Sequence, residues 1–248
     1  MTGVAALVRT VSVLLLLGGV AACARREAPQ LGEYRLAIQL PGGEVPMQVR
    51  IEKQHSVLQL RVMDGRRSAT ATDLKVGAGT LHALLPQSLG TLDADFDRNG
   101  MHGKLQRVSD DKFVVFPVTA VRNAHYRFIE KSLTDNSDVS GNWRIHIASA
   151  SSLMSLSQRH DAVDGQWQPG TSCDIRGQVH DDDVYIAAFC KDQLWLLKGK
   201  VDAHGNLEGQ AWRNNDPPLA WHAEHVDASF NPDAGNREAV PPWAVPAR

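Results

Sequence analysis

Two stretches of this chain repeat one pattern. Gly32-Glu33-Tyr34-Arg35-Leu36-Ala37-Ile38 and Gly141-Asn142-Trp143-Arg144-Ile145-His146-Ile147 both read glycine, any residue, aromatic, arginine, apolar residue, any residue, isoleucine. A second match follows in the same order. Phe96-Asp97-Arg98-Asn99-Gly100-Met101-His102-Gly103 corresponds, with one residue of slippage, to Val201-Asp202-Ala203-His204-Gly205-Asn206-Leu207-Glu208-Gly209. Each is a glycine-bearing turn between apolar flanks. Two matches in one order at nearly one separation imply a structural unit used twice.

Within each half the apolar residues recur with period two. Tyr34, Leu36, Ile38 and Leu40 alternate with polar or small neighbours, as do Met47, Val49 and Ile51, and then Leu58, Leu60 and Val62. That period belongs to half-buried strands. Turn chemistry separates them: Pro41-Gly42-Gly43, Asp64-Gly65, Gly77-Ala78-Gly79 and Asp97-Arg98-Asn99-Gly100. Many short strands joined by tight turns, with their edges hidden by closure, describe an all-β chain. It is expected to form two tandem related antiparallel barrels or sandwiches, lipocalin-like or up-and-down, over 32–130 and 139–228. Ala148 to Arg159, diluted by five serines, is read as loop or short helix.

The N-terminal residues speak to location. Arg9 precedes an apolar run from Val11 to Val20, and small residues then lead into Cys23. The run falls short of the about 20 apolar residues that span a bilayer, so residues 1–22 read as a cleaved export signal. Val20-Ala21-Ala22-Cys23 resembles the lipobox of bacterial lipoproteins, in which the cysteine becomes an acylated N-terminus. That resemblance implies lipidation at Cys23, a tether over 23–31, and a membrane held through acyl chains. Ala24 lacks the aspartate associated with inner-membrane retention in that family, which implies the periplasmic face of the outer membrane. Residues 229–248 hold four prolines without periodicity and read as a disordered tail. The formal net charge is −2, and −3 once residues 1–22 are removed, so no basic field argues for nucleic acid.

With Cys23 acylated, Cys173 and Cys190 remain in an oxidising compartment, where pairing is expected. If His180-Asp181-Asp182-Asp183 is the turn between strands 173–179 and 184–190, opposed residue numbers sum to 363. Val179 then faces Val184, Ile175 faces Ala188, and Cys173 faces Cys190. The same register puts Ile175, Val179, Val184 and Ile186 on the cysteine face, so the disulfide is expected to be structural and inward. A redox-active pair would call for an accessible thiolate and commonly a C-x-x-C spacing, and neither is visible.

Other motifs carry less. Asp95 to Gly100 begins a calcium-loop pattern, but Gln106 stands where a bidentate glutamate belongs, so a plain hairpin turn is expected. Asp181-Asp182-Asp183 reads as a solvated hairpin tip. His222-Ala223-Glu224-His225 is one residue too short for a zinc-hydrolase motif, and on a strand His222 and His225 fall on opposite faces. Trp143, Trp167, Trp195, Trp212 and Trp221 are expected in barrel core. No nucleophile motif, phosphate loop, metal or cofactor site is expected.

Residues 32–128 carry Gly32-x-Tyr34-Arg35, Leu40-Pro41-Gly42-Gly43, Pro46, Met63-Asp64-Gly65 and Phe116-Pro117-Val118-Thr119-Ala120. They resemble the N-terminal region of TlpA-like thiol-disulfide oxidoreductases. Residues 139–227, with Ser140-Gly141-x-Trp143-Arg144 and Gly209-x-x-Trp212, resemble the segment that follows it. In that family a thioredoxin fold with C-x-x-C comes next, whereas this sequence reaches Arg248 in proline-rich residues, so the resemblance implies a β module without the family's reaction. The expectation is a lipid-anchored periplasmic binding protein, non-catalytic, with a periplasmic protein partner. The alternatives are an inhibitor or immunity lipoprotein against a wall-degrading enzyme, or an accessory module of a thiol-disulfide redox system.

Overall fold

The computed structural model describes residues 29–227 except 65–66, 78, 87–88, 98–99, 110, 132–134, 170–171 and 191–192. The expected signal segment, Cys23, most of the tether and the proline-rich tail lie outside the described residues. Those that are described form strands and connections, in two units.

The first unit contains β1 (Gly32–Leu40), β2 (Gly43–Gln54), β3 (Val57–Asp64), β4 (Arg67–Thr70), β5 (Thr72–Gly77), β6 (Thr80–Leu85), β7 (Gly90–Phe96), β8 (Gly100–Ser109) and β9 (Lys112–Arg122). All pairings are antiparallel neighbours in sequence, except that β1 also pairs with β9. The ring opens only between β4 and β5. Those two are separated by Ala71 alone, whose N–H donates to the Leu60 carbonyl at 2.8 Å. They are one bent strand that leaves β3 and joins β6, giving a nearly closed barrel of eight staves.

The second unit contains β10 (Gly141–Ile147), β11 (Ala150–Arg159), β12 (Ala162–Gln168), β13 (Cys173–His180), β14 (Asp183–Phe189), β15 (Leu194–Val201), β16 (Leu207–Arg213) and β17 (Leu219–Val226). It is a closed up-and-down barrel, sealed by β10 pairing with β17. The stretch expected to be loop or short helix, Ala148–Arg159, is instead mostly β11. Its serines do not break the strand, because Met154 and Leu156 point inward at period two while Ser151, Ser155 and Ser157 face solvent.

The duplicated motif does the same job in each barrel. Gly32 (φ 139°) and Gly141 (φ 135°) open the first strand in a conformation that side chains rarely adopt. Two residues on, the aromatic turns inward and bonds back to the carbonyl four residues earlier: Tyr34 Oη to Gln30 O at 2.7 Å, Trp143 Nε1 to Val139 O at 3.0 Å. The second match also lands in equivalent places, since both turns join the sixth stave to the seventh.

Eight strands enclose an interior just wide enough for side chains, and both are filled. Tyr34, Leu36, Ile38, Val49, Leu92 and Phe116 are among those packing the first, and Trp143, Met154, Trp167, Ile186, Leu197 and Trp221 the second. Four of the five tryptophans expected in core are there. Trp212 is the exception. It faces outward from β16 and packs against the first barrel's cluster, together with Ala187, Leu194 and Leu196. Gly42 lies beneath it, where a Cβ would fall 2.2 Å from the indole.

Polar contacts complete this joint. Asn214 Nδ2 donates to Ser109 Oγ at 2.8 Å, and Arg176 Nη1 to Met63 O at 2.9 Å. The segment between the barrels is a connector tied to both. The Arg127 carbonyl accepts two bonds from buried Arg35, while the Arg127 side chain donates to Val163 O, to Gly177 O and to Asp164. Gln178 Oε1 accepts the N–H groups of Phe128 and Ile129.

Candidate functional site

The expected cysteine pair is formed. The β13–β14 register pairs Val179 with Val184 and Ile175 with Ala188, and continuing it one step beyond β14 brings Cys173 and Cys190 together as a disulfide with Cα atoms 4.4 Å apart. Both half-cystines are buried beside Ile175, Val179, Val184 and Ile186. The Asp181-Asp182-Asp183 tip is exposed at Asp181 and Asp182, as expected, and is also bonded by the connector. Asn136 Oδ1 accepts the Asp181 N–H, Ser137 N–H donates to the Asp181 carbonyl, and Ser137 Oγ bonds Asp182 at 2.6 Å, so the connector caps the turn. Asp97 accepts the Gly100 N–H at 3.0 Å, as a hairpin turn does.

Both interiors are packed, and two exterior recesses stand out. The larger, about 890 Å³, lies on the outside of the second barrel across β14–β17 and β10. Its place follows from three outward-facing rows of the sheet. The row nearest the first barrel is apolar and forms the joint: Ala187, Leu196 and Trp212. The next runs through Tyr185, Lys198, Gln210 and Ala220. The third places Asp183, Lys200, Glu208, His222 and His146 side by side on five strands. The sheet therefore passes from a buried apolar strip to an ionisable one within four residues of strand length, from Ala187 to Asp183 and from Leu196 to Lys200, and the groove lies over the second and third rows.

The third row carries the chemistry. His146 and His222 are direct ladder partners, and their rings stack at 4.6 Å with 9° between planes. Glu224, two residues beyond His222, projects on the same side. One donor atom from each of His146, His222 and Glu224 lies within 4.8 Å of the others. Lys200 Nζ stands 3.4 Å from Asp183. Burial, with the Asp183 carboxylate beside it, raises the Tyr185 hydroxyl above its ordinary range, so Tyr185 is a neutral hydrogen-bonding group in the groove wall.

His225 takes the opposite face from His222, as expected, and sets its ring edge-on to Trp143 at 5.2 Å. Sequence reasoning considered the His222/His225 pair and missed the cluster. His222-x-Glu224 on a strand was a readable signal for two donors on one face, but the third donor is 76 residues away and is brought in only by barrel closure.

Two smaller features lie elsewhere. A cleft of about 270 Å³ at the joint is lined by Met47, Gln48, Met63, His125, Arg127 and Arg176. On the first barrel His82 stands between Asp93 (2.6 Å) and Asp73 (3.6 Å), and Asp73 is held below the usual carboxylate range chiefly by its hydrogen bond from Lys75.

No protein-family description matches this chain, and no curated protein does. Among solved structures it is similar to a protein of unknown function from the DUF3598 family of Nostoc punctiforme. Identity is 13% and the TM-score 0.28, over 79% of this chain and 96% of that one.

Proposed function

We propose that this chain is a non-catalytic binding protein held at the periplasmic face of a bacterial outer membrane by acyl chains on Cys23, and that it meets a protein partner through the exterior groove of its second barrel. The observation that carries the binding reading is the contrast between two side-chain-filled interiors and an open recess lined by Tyr185, Lys198, Lys200, Glu208 and the histidine pair. The location rests on the sequence of the first 23 residues, and the Cys173–Cys190 disulfide agrees with an oxidising compartment.

The test has two arms. Intact mass of the chain purified from membranes is expected to show a start at Cys23 carrying acyl groups; an unmodified start overturns the tether. A photo-crosslinking residue at Lys198 is expected to trap one predominant envelope protein that the same residue at exposed Val57, on the first barrel, does not trap. Equal trapping from both positions overturns the groove as the binding face. The resemblance to the N-terminal part of TlpA-like oxidoreductases supports a second reading, an accessory module of a thiol-disulfide system. Recovery of a C-x-x-C protein from the Lys198 position would select it.

A further inference from the structure

We infer that His146, His222 and Glu224 bind a divalent transition-metal cation of the zinc type on the outside of the second barrel, through two imidazole nitrogens and one carboxylate oxygen. The inference rests on the reading of the groove as the binding face. Metal binding is measured on the isolated chain, so its failure leaves the partner test standing.

Directly opposed residues of an antiparallel pair hold their Cβ atoms about 4.5–5.5 Å apart. Two histidines there bring their rings within reach of a common ion; the rings stack with 9° between planes, so binding requires them to rotate about their side-chain torsions until their in-plane lone pairs converge. Glu224 adds an oxygen on the same face, and the three donor atoms stand within 4.8 Å of one another. With metal–ligand bonds of about 2.0–2.2 Å, ligand atoms in a tetrahedral site lie roughly 3.4 Å apart. Donor-atom shifts of roughly 1 Å, with rotation of the two rings out of their stack, therefore close the set. Imidazole with carboxylate is a donor combination that suits borderline cations such as Zn²⁺, Co²⁺ and Cu²⁺. Glu208, the ladder neighbour of His222 on its other side, adds negative charge nearby.

The fold does not require these residues. In the first barrel Ala37 pairs with Thr119 as His146 pairs with His222, and Val121 faces Arg35 as Glu224 faces Arg144. The equivalent positions are thus alanine, threonine and valine. The same scaffold stands without donors in one copy and gathers three in the other.

The experiment titrates the untagged, full-length chain in detergent micelles with ZnCl₂ by calorimetry and with CoCl₂ by visible absorption. The expected result is one ion per chain. Affinity should fall at least tenfold in His146→Asn and in His222→Asn, and several-fold in Glu224→Gln. His102→Asn, at an exposed histidine of the first barrel, should leave it unchanged. Circular dichroism checks that each variant is folded, and since His222 is exposed, its variant keeps the test open if His146→Asn is unstable. The proposal is overturned by the lack of stoichiometric binding below millimolar Zn²⁺, by binding that survives both histidine variants, or by an equal loss in His102→Asn.

Discussion

Removing the disulfide should destabilise the second barrel selectively, and the tryptophans make the effect readable. Cys173 and Cys190 are 17 residues apart, and closing a loop of that size lowers the entropy of the unfolded chain enough to stabilise the fold by about 3 kcal/mol. The appropriate variant is Cys173→Ala with Cys190→Ala, because serines would bury two hydroxyls in the apolar interior. Trp143, Trp167, Trp195 and Trp221 all lie inside the second barrel and Trp212 at the joint, whereas residues 32–122 contain no tryptophan. In a Trp243→Phe background, which removes the sixth tryptophan outside the described residues, fluorescence therefore follows the second barrel, while far-ultraviolet circular dichroism follows both. With a urea dependence of about 1–2 kcal/mol/M for a unit of this size, the fluorescence midpoint should fall by roughly 1.5–3 M. Reductant added to the native chain should reproduce the shift. A fluorescence midpoint that moves by less than about 0.5 M would refute the loop-closure argument and with it the role assigned to the pair.

Three further outcomes follow from the packing. Gly42→Ala places a methyl group against the Trp212 indole and should cost about 1–3 kcal/mol by overpacking, accompanied by a red shift of Trp212 emission as the joint opens; Gly77→Ala, where a Cβ meets nothing within 4 Å, should leave the emission unchanged. Tyr34→Phe removes the hydroxyl that bonds Gln30 O and should cost about 1 kcal/mol, checked by urea unfolding followed by circular dichroism. Glu33 is held below its ordinary range chiefly by its hydrogen bond with Arg50, so its contribution is fully present above the unfolded carboxylate range and is lost as pH falls through the lowered folded value. Glu33→Gln should accordingly show a shallower loss of melting temperature on acidification than the native chain.

Local rules made the architecture legible. Period-two alternation gave the strands, and the twice-used Gly-x-aromatic-Arg pattern marked the first stave of each unit because the special glycine and the inward aromatic are requirements of one short segment. The hairpin register at 173–190 was readable for the same reason, since turn position and side-chain alternation fix it without reference to the rest of the fold. Composition misleads where period does not. Five serines in Ala148–Arg159 suggested a broken element, yet every second residue there is free to be polar on a barrel's outer face. Residue type alone points Trp212 to the core, whereas the sheet alternation, carried from inward Ala211, puts it outside.

What could not be read is whatever depends on closure and on the meeting of the two barrels. The pairing of β10 with β17 sets His146 against His222, and nothing local to either residue announces it. The joint is of the same kind. Arg35 looks like a solvent-facing strand residue in sequence, but it is buried under the connector, stacking its guanidinium over Tyr126 at 4.5 Å and donating to the Arg127 carbonyl. In the second barrel the matching Arg144 is only half-buried among the described residues. Duplication thus repeated a motif whose arginine acquired a different environment in each copy. Among the described residues the second barrel's outer face away from the joint carries the ionisable row and the groove, which have no counterpart in the matching Ala37, Thr119 and Val121 positions of the first barrel.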